Sequence, residues 1–498
     1  MLFTTAAFLL LFLPIVWCGF FLIGKWRESW AASWLFLASM VFYGVWMPQY
    51  TLLLLASIGL NFYLGQRIGE SRASNSASAK AWLCLGVSIN LGLLAYYKYA
   101  NFFVDNLSAA FDLHWQMSRV LLPIGISFFS FTQIAFLADA YLKGVRELRF
   151  SHYGLFVTYF PHLVAGPVLH HAQMMPQFAD SKTYRLNGAN VAAGLCILLM
   201  GLFKKVVLAD GIAPYADAIF KPADAGLTPD SLEAWVAAVA YSLQLYFDFS
   251  GYSDMAIGIS LMFNVRLPFN FNSPYKAENI SDFWRRWHIS LSNFLRDYLY
   301  IALGGNRKGA VRRYLNLATT MVLGGLWHGA SWSFVLWGAL HGAYLMLNHG
   351  FRALCGPVLS LRLGRNPVYR LFAWCLTMVA VVVAWVFFRA ETLAGAMRLL
   401  EAMVGVGPSP ATENTSIHSL LWAAGLHMNV AWCWCLALGL WAACAPNSNR
   451  IGLWIQRELT ARWSWRNWAL GFSVCLIFAM MVVNVARDSV SAFIYFNF

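Results

Sequence analysis

Three stretches of this 498-residue chain bring together side chains that can move protons or hold anions. The first runs Leu323, Gly324, Gly325, Leu326, Trp327, His328, Gly329, and continues to Trp337-Gly338 and His341-Gly342. Glycine on both sides of a histidine lets backbone or substrate approach closely. Imidazole titrates near neutral pH, which suits it to take a proton from a hydroxyl. His328 is therefore the leading candidate base. A lone histidine among apolar residues is more often a satisfied core residue, and it is the glycine context and the suspected membrane depth that favour function.

The second stretch is Ser281–Tyr298, with Trp284, Arg285, Arg286, Trp287 and His288 near its start. Ser281 can cap a helix and Asp282 suits its first turn. Trp284, Trp287/His288, Leu291, Leu295 and Tyr298 follow the spacing of one helix face, so His288 is expected to point the same way as the rings. Arg285 leaves from another side. The basic charges can meet lipid phosphates or the phosphates of a donor molecule.

The third is Tyr246–Gly258, which places Asp248 and Asp254 inside a long apolar segment. A carboxylate at membrane depth costs roughly 2.5–3.5 kcal/mol on insertion scales, so it normally faces an interior partner or cavity. Six residues is about 600° of helix, so the two acids point to different sides and a shared acid pair is not expected. The plainer expectation is two structural acids paired with arginine or hydroxyls of neighbouring helices.

What must position these residues is a membrane bundle. Apolar residues make up 60% of the chain and charged ones 11%, against about 45–50% and 25% in soluble domains. Spans are expected at Leu2–Ile23, Ala32–Val45, Tyr50–Leu64, Ala81–Tyr97, Val120–Tyr141, Val191–Leu208, Trp235–Phe263, Leu371–Phe388, Leu426–Ala443 and Trp468–Val485. Tyr153–Leu169 is broken by Pro161, Gly166 and Pro167 and reads as a re-entrant segment. Region 315–349 reads as two short halves joined by a submerged turn at Gly324–Gly329. The fold class is thus all-α, a polytopic membrane protein of about 11 transmembrane helices plus short or re-entrant ones. The first segment lacks a basic n-region and a small-residue cleavage signature, so it is expected to be retained.

Lys and Arg cluster in short loops (around residues 25–27, 67–80, 143–149, 307–313, 352–370 and 450–466), which marks those loops as cytoplasmic. Asn101–Ser118 and Asp210–Asp230 are then outer loops and both termini lie outside. Lys204 and Lys205 conflict with that scheme. The net charge of +13 follows from this asymmetry, and no basic stripe on a polar helix face points to nucleic acid. No Cys pair has CxxC spacing, so neither a disulfide framework nor a metal site is indicated.

These motifs carry a resemblance. Trp284–Ser292, Arg296–Arg307 and Gly324–Gly329 resemble the membrane-bound O-acyltransferases, most nearly their bacterial alginate O-acetylation branch, relatives of the transferase that D-alanylates teichoic acid. Leu122–Phe128, Tyr159–Pro167, Phe203–Lys205, Tyr246–Gly258 and Trp385–Ala390 support it, so the likeness runs over residues 1–400. Residues 401–498 add a loop and two further expected spans. The resemblance implies a tunnel through a thinned bilayer, with an acyl donor arriving from the cytoplasm. It matches the family's active-site histidine to His328 and its second histidine to His288, while Asp248 and Asp254 match no catalytic position. His162, His170, His171 and His341 are set aside as structural.

The resulting expectation is an inner-membrane O-acyltransferase that moves acetyl toward an exported polysaccharide, alginate or possibly cellulose in type, with periplasmic acetylation proteins as partners. The donor is acetyl-CoA or another cytoplasmic acyl carrier, and no permanently bound cofactor is expected. Arg285, Arg286, Trp284 and Trp327 are the candidate donor-binding residues. A transporter or flippase is the competing class, because broken helices and intramembrane acids suit one, although two matching halves are absent. A scaffolding subunit of an export complex is the third, and it has no need of His328.

Overall fold

The computed structural model describes residues 2–164, 166–406, 416–461 and 493–494. Among the described residues there are helices and irregular segments and no strand. Among the described residues, six helical stretches are long and apolar enough to cross a membrane: Ala7–Gly24, Glu28–Trp46, Pro48–Arg72, Ser76–Phe111, Gly188–Asp224 and Pro367–Arg389. Ile417–Ala423 and Met428–Cys444, bent by 87°, make a seventh if they act as one span. Other expected spans are helical but carry polar residues that lower their hydropathy. Ser231–Met262 holds Glu233, Asp248 and Asp254, and Gly309–His328 begins with Arg312 and Arg313. Trp468–Val485 lies outside the described residues.

The chain divides into two compact units. The first comprises Met1–Leu202, Tyr252–Phe269 and Ser448–Phe496. Its helices approach closely where glycine removes a side chain. A Cβ on Gly194 would stand 2.5 Å from the Gly258 carbonyl oxygen, and one on Gly86 2.5 Å from Leu137. Several polar groups inside this unit satisfy one another, as an apolar solvent favours. Asn90 donates to Asn61 at 2.7 Å, Gln133 donates to Ser57 at 2.9 Å, and the Ser448 hydroxyl donates to Asp254 at 2.6 Å.

The break expected in Tyr153–Leu169 is present. The helix Phe150–Thr158 ends at Tyr159, and a buried turn follows in which the Phe160 N–H donates to the Ser39 hydroxyl at 3.1 Å. Two boundaries move. The segment expected at Val120–Tyr141 is helical only over Ile126–Lys143, because Pro123 and Gly125, at φ +76°, hold the chain out of helix before it. The outer loop expected from Asp210 is instead the helix Asp210–Asp224.

The second unit comprises Phe203–Gly251, Asn270–Asn447 and Asn497–Phe498, and it contains all three stretches except Asp254 and its neighbours. Its centre is a hairpin of Gly309–His328 and Trp332–Arg365, flanked by Pro367–Arg389. Gly325 and Gly338 meet where these helices cross. A Cβ on Gly325 would overlap the Phe334 carbonyl oxygen and lie 3.2 Å from Gly338 Cα. Here also the expectation of two short halves fails. The helix does not turn at Gly324 but continues through His328, and the connection is Gly329–Ser331.

Candidate active site

The close Gly325–Gly338 crossing sets the last turn of Gly309–His328 against the first turns of Trp332–Arg365. His328, the final residue of its helix, is buried with Trp327. Its imidazole lies 4.9 Å from the Trp327 ring centroid, 5.1 Å from Trp337 and 5.0 Å from Phe388. Three helices therefore meet at this ring.

His288 reaches the same place by another route. The single amphipathic helix expected over Ser281–Tyr298 is broken in two. Ile280–Arg286 ends, Trp287 is extended, and His288 adopts a left-handed conformation (φ 43°, ψ 53°) before Ile289–Phe294 begins. The first helix is capped by Asn279, whose side chain accepts the Asp282 N–H at 2.9 Å, not by Ser281. A regular helix face therefore does not aim His288; the break does. Left-handed geometry is uncommon for residues other than glycine and, where it persists, is held by its surroundings. The hold is Asn270: its backbone carbonyl accepts the Ile289 N–H at 2.9 Å, and its side-chain oxygen lies 3.2 Å from His288 Nδ1. His288 is fully buried, 4.7 Å from the Phe249 ring and 6.1 Å from Trp327. Trp327 is thus a ring set against both imidazoles.

The remaining candidates separate. Trp284 belongs to the cluster, 5.8 Å from Trp337, but it faces His341, to whose Nδ1 its indole N–H donates at 3.3 Å. Arg285 is exposed. Arg286 is held by Asp282, Nε to Oδ2 at 2.8 Å. His341, set aside from the sequence, is fully buried between Trp284 and Trp337 and belongs with the other two histidines. The signal was available: Trp337 and His341 are four apart and share a helix face. Asn270 gave no signal of its own.

Asp248 accounts for one of the two lysines that conflict with the expected orientation. Lys205 Nζ lies 2.6 Å from Asp248 and 2.7 Å from Asp210, with lysine and Asp248 both about 1% exposed. Lys205 therefore neutralises the buried Asp248 and the partly exposed Asp210 and is not a marker of membrane side. The acids are structural in type as expected, although the cation is lysine and not arginine. The first unit holds a different polar region, a cavity of about 800 Å³ lined by Arg27, Arg146, Glu147, Arg149, His152 and His171. Burial there would raise the Glu147 carboxyl, but hydrogen bonds from His171 and the Arg149 N–H, with nearby positive charge, hold it below its usual value. Among the described residues, no three His, Cys, Asp or Glu side chains gather as a metal-ligand set.

Comparison with known proteins is decisive on family. Residues 145–386 match the membrane-bound O-acyltransferase family. The chain is 43% identical to a probable alginate O-acetylase AlgI of Azotobacter vinelandii, over 82% of this chain and 79% of that one. The chain belongs to the membrane-bound O-acyltransferase family. It is also 37% identical to a peptidoglycan O-acetyltransferase of Helicobacter pylori, over 100% of this chain and 98% of the other. A teichoic acid D-alanyltransferase of Bacillus subtilis is 27% identical over 46% of this chain and 59% of its own. The protein is a multi-pass membrane enzyme that transfers acyl groups to oxygen, and the matched residues include Asn270, His288, His328 and His341.

Proposed function

We propose that this enzyme takes acetyl from a cytoplasmic donor, acetyl-CoA or another acyl carrier, across the inner membrane for O-acetylation of an exported polysaccharide of the alginate type, together with periplasmic partner proteins. The observation that carries the proposal is the pair of buried imidazoles, His288 and His328, on the one ring of Trp327. In the transfer, a hydroxyl oxygen attacks the acyl carbonyl as His328 takes its proton. The carbon–sulfur bond of a thioester donor then breaks, and the proton returns to the leaving sulfur. Acyl ester and free thiol are the products, and the histidine is regenerated. A positioned base contributes roughly 10²–10⁴-fold to such a step. Within this scheme His288 binds and orients the acceptor, Trp284 and Trp327 line the donor's approach, and Arg285 and Arg286 meet its phosphates.

The test is the ester content of the cell's polysaccharides in a strain carrying His328→Ala. Acetate should fall to background while membrane level and polymer export are unchanged, and His288→Ala should give a smaller loss. Wild-type acetate content in a normally expressed His328→Ala strain would refute the assignment.

Peptidoglycan is the second acceptor class that the likenesses support. The likeness to the peptidoglycan O-acetyltransferase extends over the whole chain at 37% identity, and that to a probable alginate O-acetylase of Pseudomonas putida does so at 38%. Assaying acetate separately in exopolysaccharide and in purified peptidoglycan distinguishes the two acceptors.

A further inference from the structure

Asn270 holds His288 by more than shape. The Ser290 backbone N–H donates to Asn270 Oδ1 at 3.2 Å, and the Ser290 hydroxyl donates to it at 2.8 Å. A backbone N–H can only donate, so the atom it reaches is the amide oxygen and not the amide nitrogen. An amide oxygen can only accept. His288 Nδ1, 3.2 Å from the same oxygen, must then carry the ring's proton. In the neutral imidazole the lone pair is left on Nε2.

We propose that Asn270 is a positioning residue that fixes His288 as the Nδ1–H tautomer, so that the nitrogen His288 offers to substrate accepts a hydrogen bond from the hydroxyl being acylated and does not donate a proton to the leaving group. This rests on the reading of His288 as a site residue. Two further observations support it. Asn270 is fully buried, and its backbone carbonyl also accepts the N–H of Ile289, so one residue secures both the left-handed turn and the ring it displays. The neighbours set against the ring include the neutral groups Phe249 from the helix Ser231–Met262, Trp327 from Gly309–His328, and Asn270 and Ser290 themselves. The titratable group beyond Trp327 is His328.

Two measurements test this on the full-length protein in lipid. In the first, nitrogen-labelled histidine resonances are recorded and the His288 signals identified by their loss in His288→Gln. The neutral ring should show a protonated Nδ1 and an unprotonated Nε2. A protonated Nε2 would overturn the proposal.

The second is functional and uses Asn270→Asp, which keeps an oxygen where all three donors end but makes it anionic. An adjacent carboxylate favours the imidazolium by about 1–3 pH units. A base that protonates more readily is lost at higher pH, so the acid limb of the rate profile should move up by that amount. The rate is read as transfer of radiolabelled acetyl from acetyl-CoA, with the protein still folded. Asn270→Leu should lower transfer at every pH to the level of His288→Ala and no further. If His288→Ala retains wild-type transfer, the site reading falls and this proposal falls with it. If His288→Ala lowers transfer while the Asn270→Asp profile stays in place, only the tautomer assignment falls.

Discussion

Lys205 and the two histidines are all buried polar groups within the second unit, yet their surroundings differ in kind. Lys205 sits 2.6 Å from Asp248 and 2.7 Å from Asp210, formal charge against formal charge. His288 and His328 sit among the faces and edges of Phe249, Trp327, Trp337 and Phe388. A buried cation locked to two carboxylates has little to offer a passing substrate, and breaking it leaves an uncompensated charge. An imidazole walled by aromatic rings is different. It is a small polar group in apolar surroundings, the composition typical of ligand sites, where a few convergent polar atoms set specificity. The difference separates transporter from enzyme. A transporter would need its intramembrane acids available for ions or substrate, and here Asp248 is committed to Lys205.

The largest expected effect breaks this comparison most directly. His328→Gln preserves polarity and approximate volume but supplies no base. Acyl transfer should fall by about 10²–10⁴-fold with no change in the melting temperature of the purified protein. Transfer within a factor of about three of wild type would remove His328 from the chemistry and return it to the core.

Lys205→Met should show the reverse pattern. It strands Asp248 at 1% exposure without its partner, a loss of about 3–5 kcal/mol. The protein should fall in membrane level and thermal stability. Adding Asp248→Asn to Lys205→Met should recover most of that stability, because an unpaired charge is the cause. A stable Lys205→Met protein that is inactive would instead place the lysine in the transfer machinery.

How much of this contrast was legible in sequence follows from what each feature depends on. His328 and His288 stood out in the sequence because an imidazole in an apolar run is uncommon, because glycine beside His328 permits close approach, and because both runs resemble family motifs. The helices were readable from apolar length. The break at Trp287-His288 was not, since Trp284, His288, Leu291 and Leu295 keep helical spacing on both sides of it. Only the tertiary bonds from Asn270 compel the left-handed residue. The role of Lys205 was hidden for the same reason: its partner Asp248 is 43 positions away, and local charge reads it as a loop marker. His341 shares a helix face with Trp337, but its place in the cluster needs Trp284 from another helix.

A smaller effect tests whether the glycine crossing delivers His328. Gly325→Ala places a methyl onto the Phe334 carbonyl and Gly338, a close backbone contact that overpacking penalises by about 1–3 kcal/mol. Gly350 lies on the same long helix as Gly338 with open space around it, so Gly350→Ala should stabilise by about 0.5–1 kcal/mol through helix propensity alone. Transfer should drop in the first variant and hold in the second. Equal behaviour of the two in a thermal melt and in transfer would mean that the crossing does not position the histidine.

The smallest effect concerns the arginines, which the structure treats unequally. Arg286 is bonded to Asp282 in a half-exposed pair of the kind worth about 0–1 kcal/mol, and its guanidinium also reaches the Asn272 carbonyl at 3.4 Å. Arg285 beside it is exposed. If this helix meets a donor's phosphates, the exposed guanidinium is the one available to do so. Arg285→Gln should then raise the KM for acetyl-CoA a few-fold, with kcat unchanged and the effect fading as salt is added, because exposed charge is screened within about 8–10 Å. Arg286→Gln should lower thermal stability slightly and change KM less. A KM that responds to neither substitution would reassign both arginines to the membrane surface, where they serve lipid phosphates and orientation, and would leave donor recognition to the aromatic side of the cluster, Trp284 and Trp327.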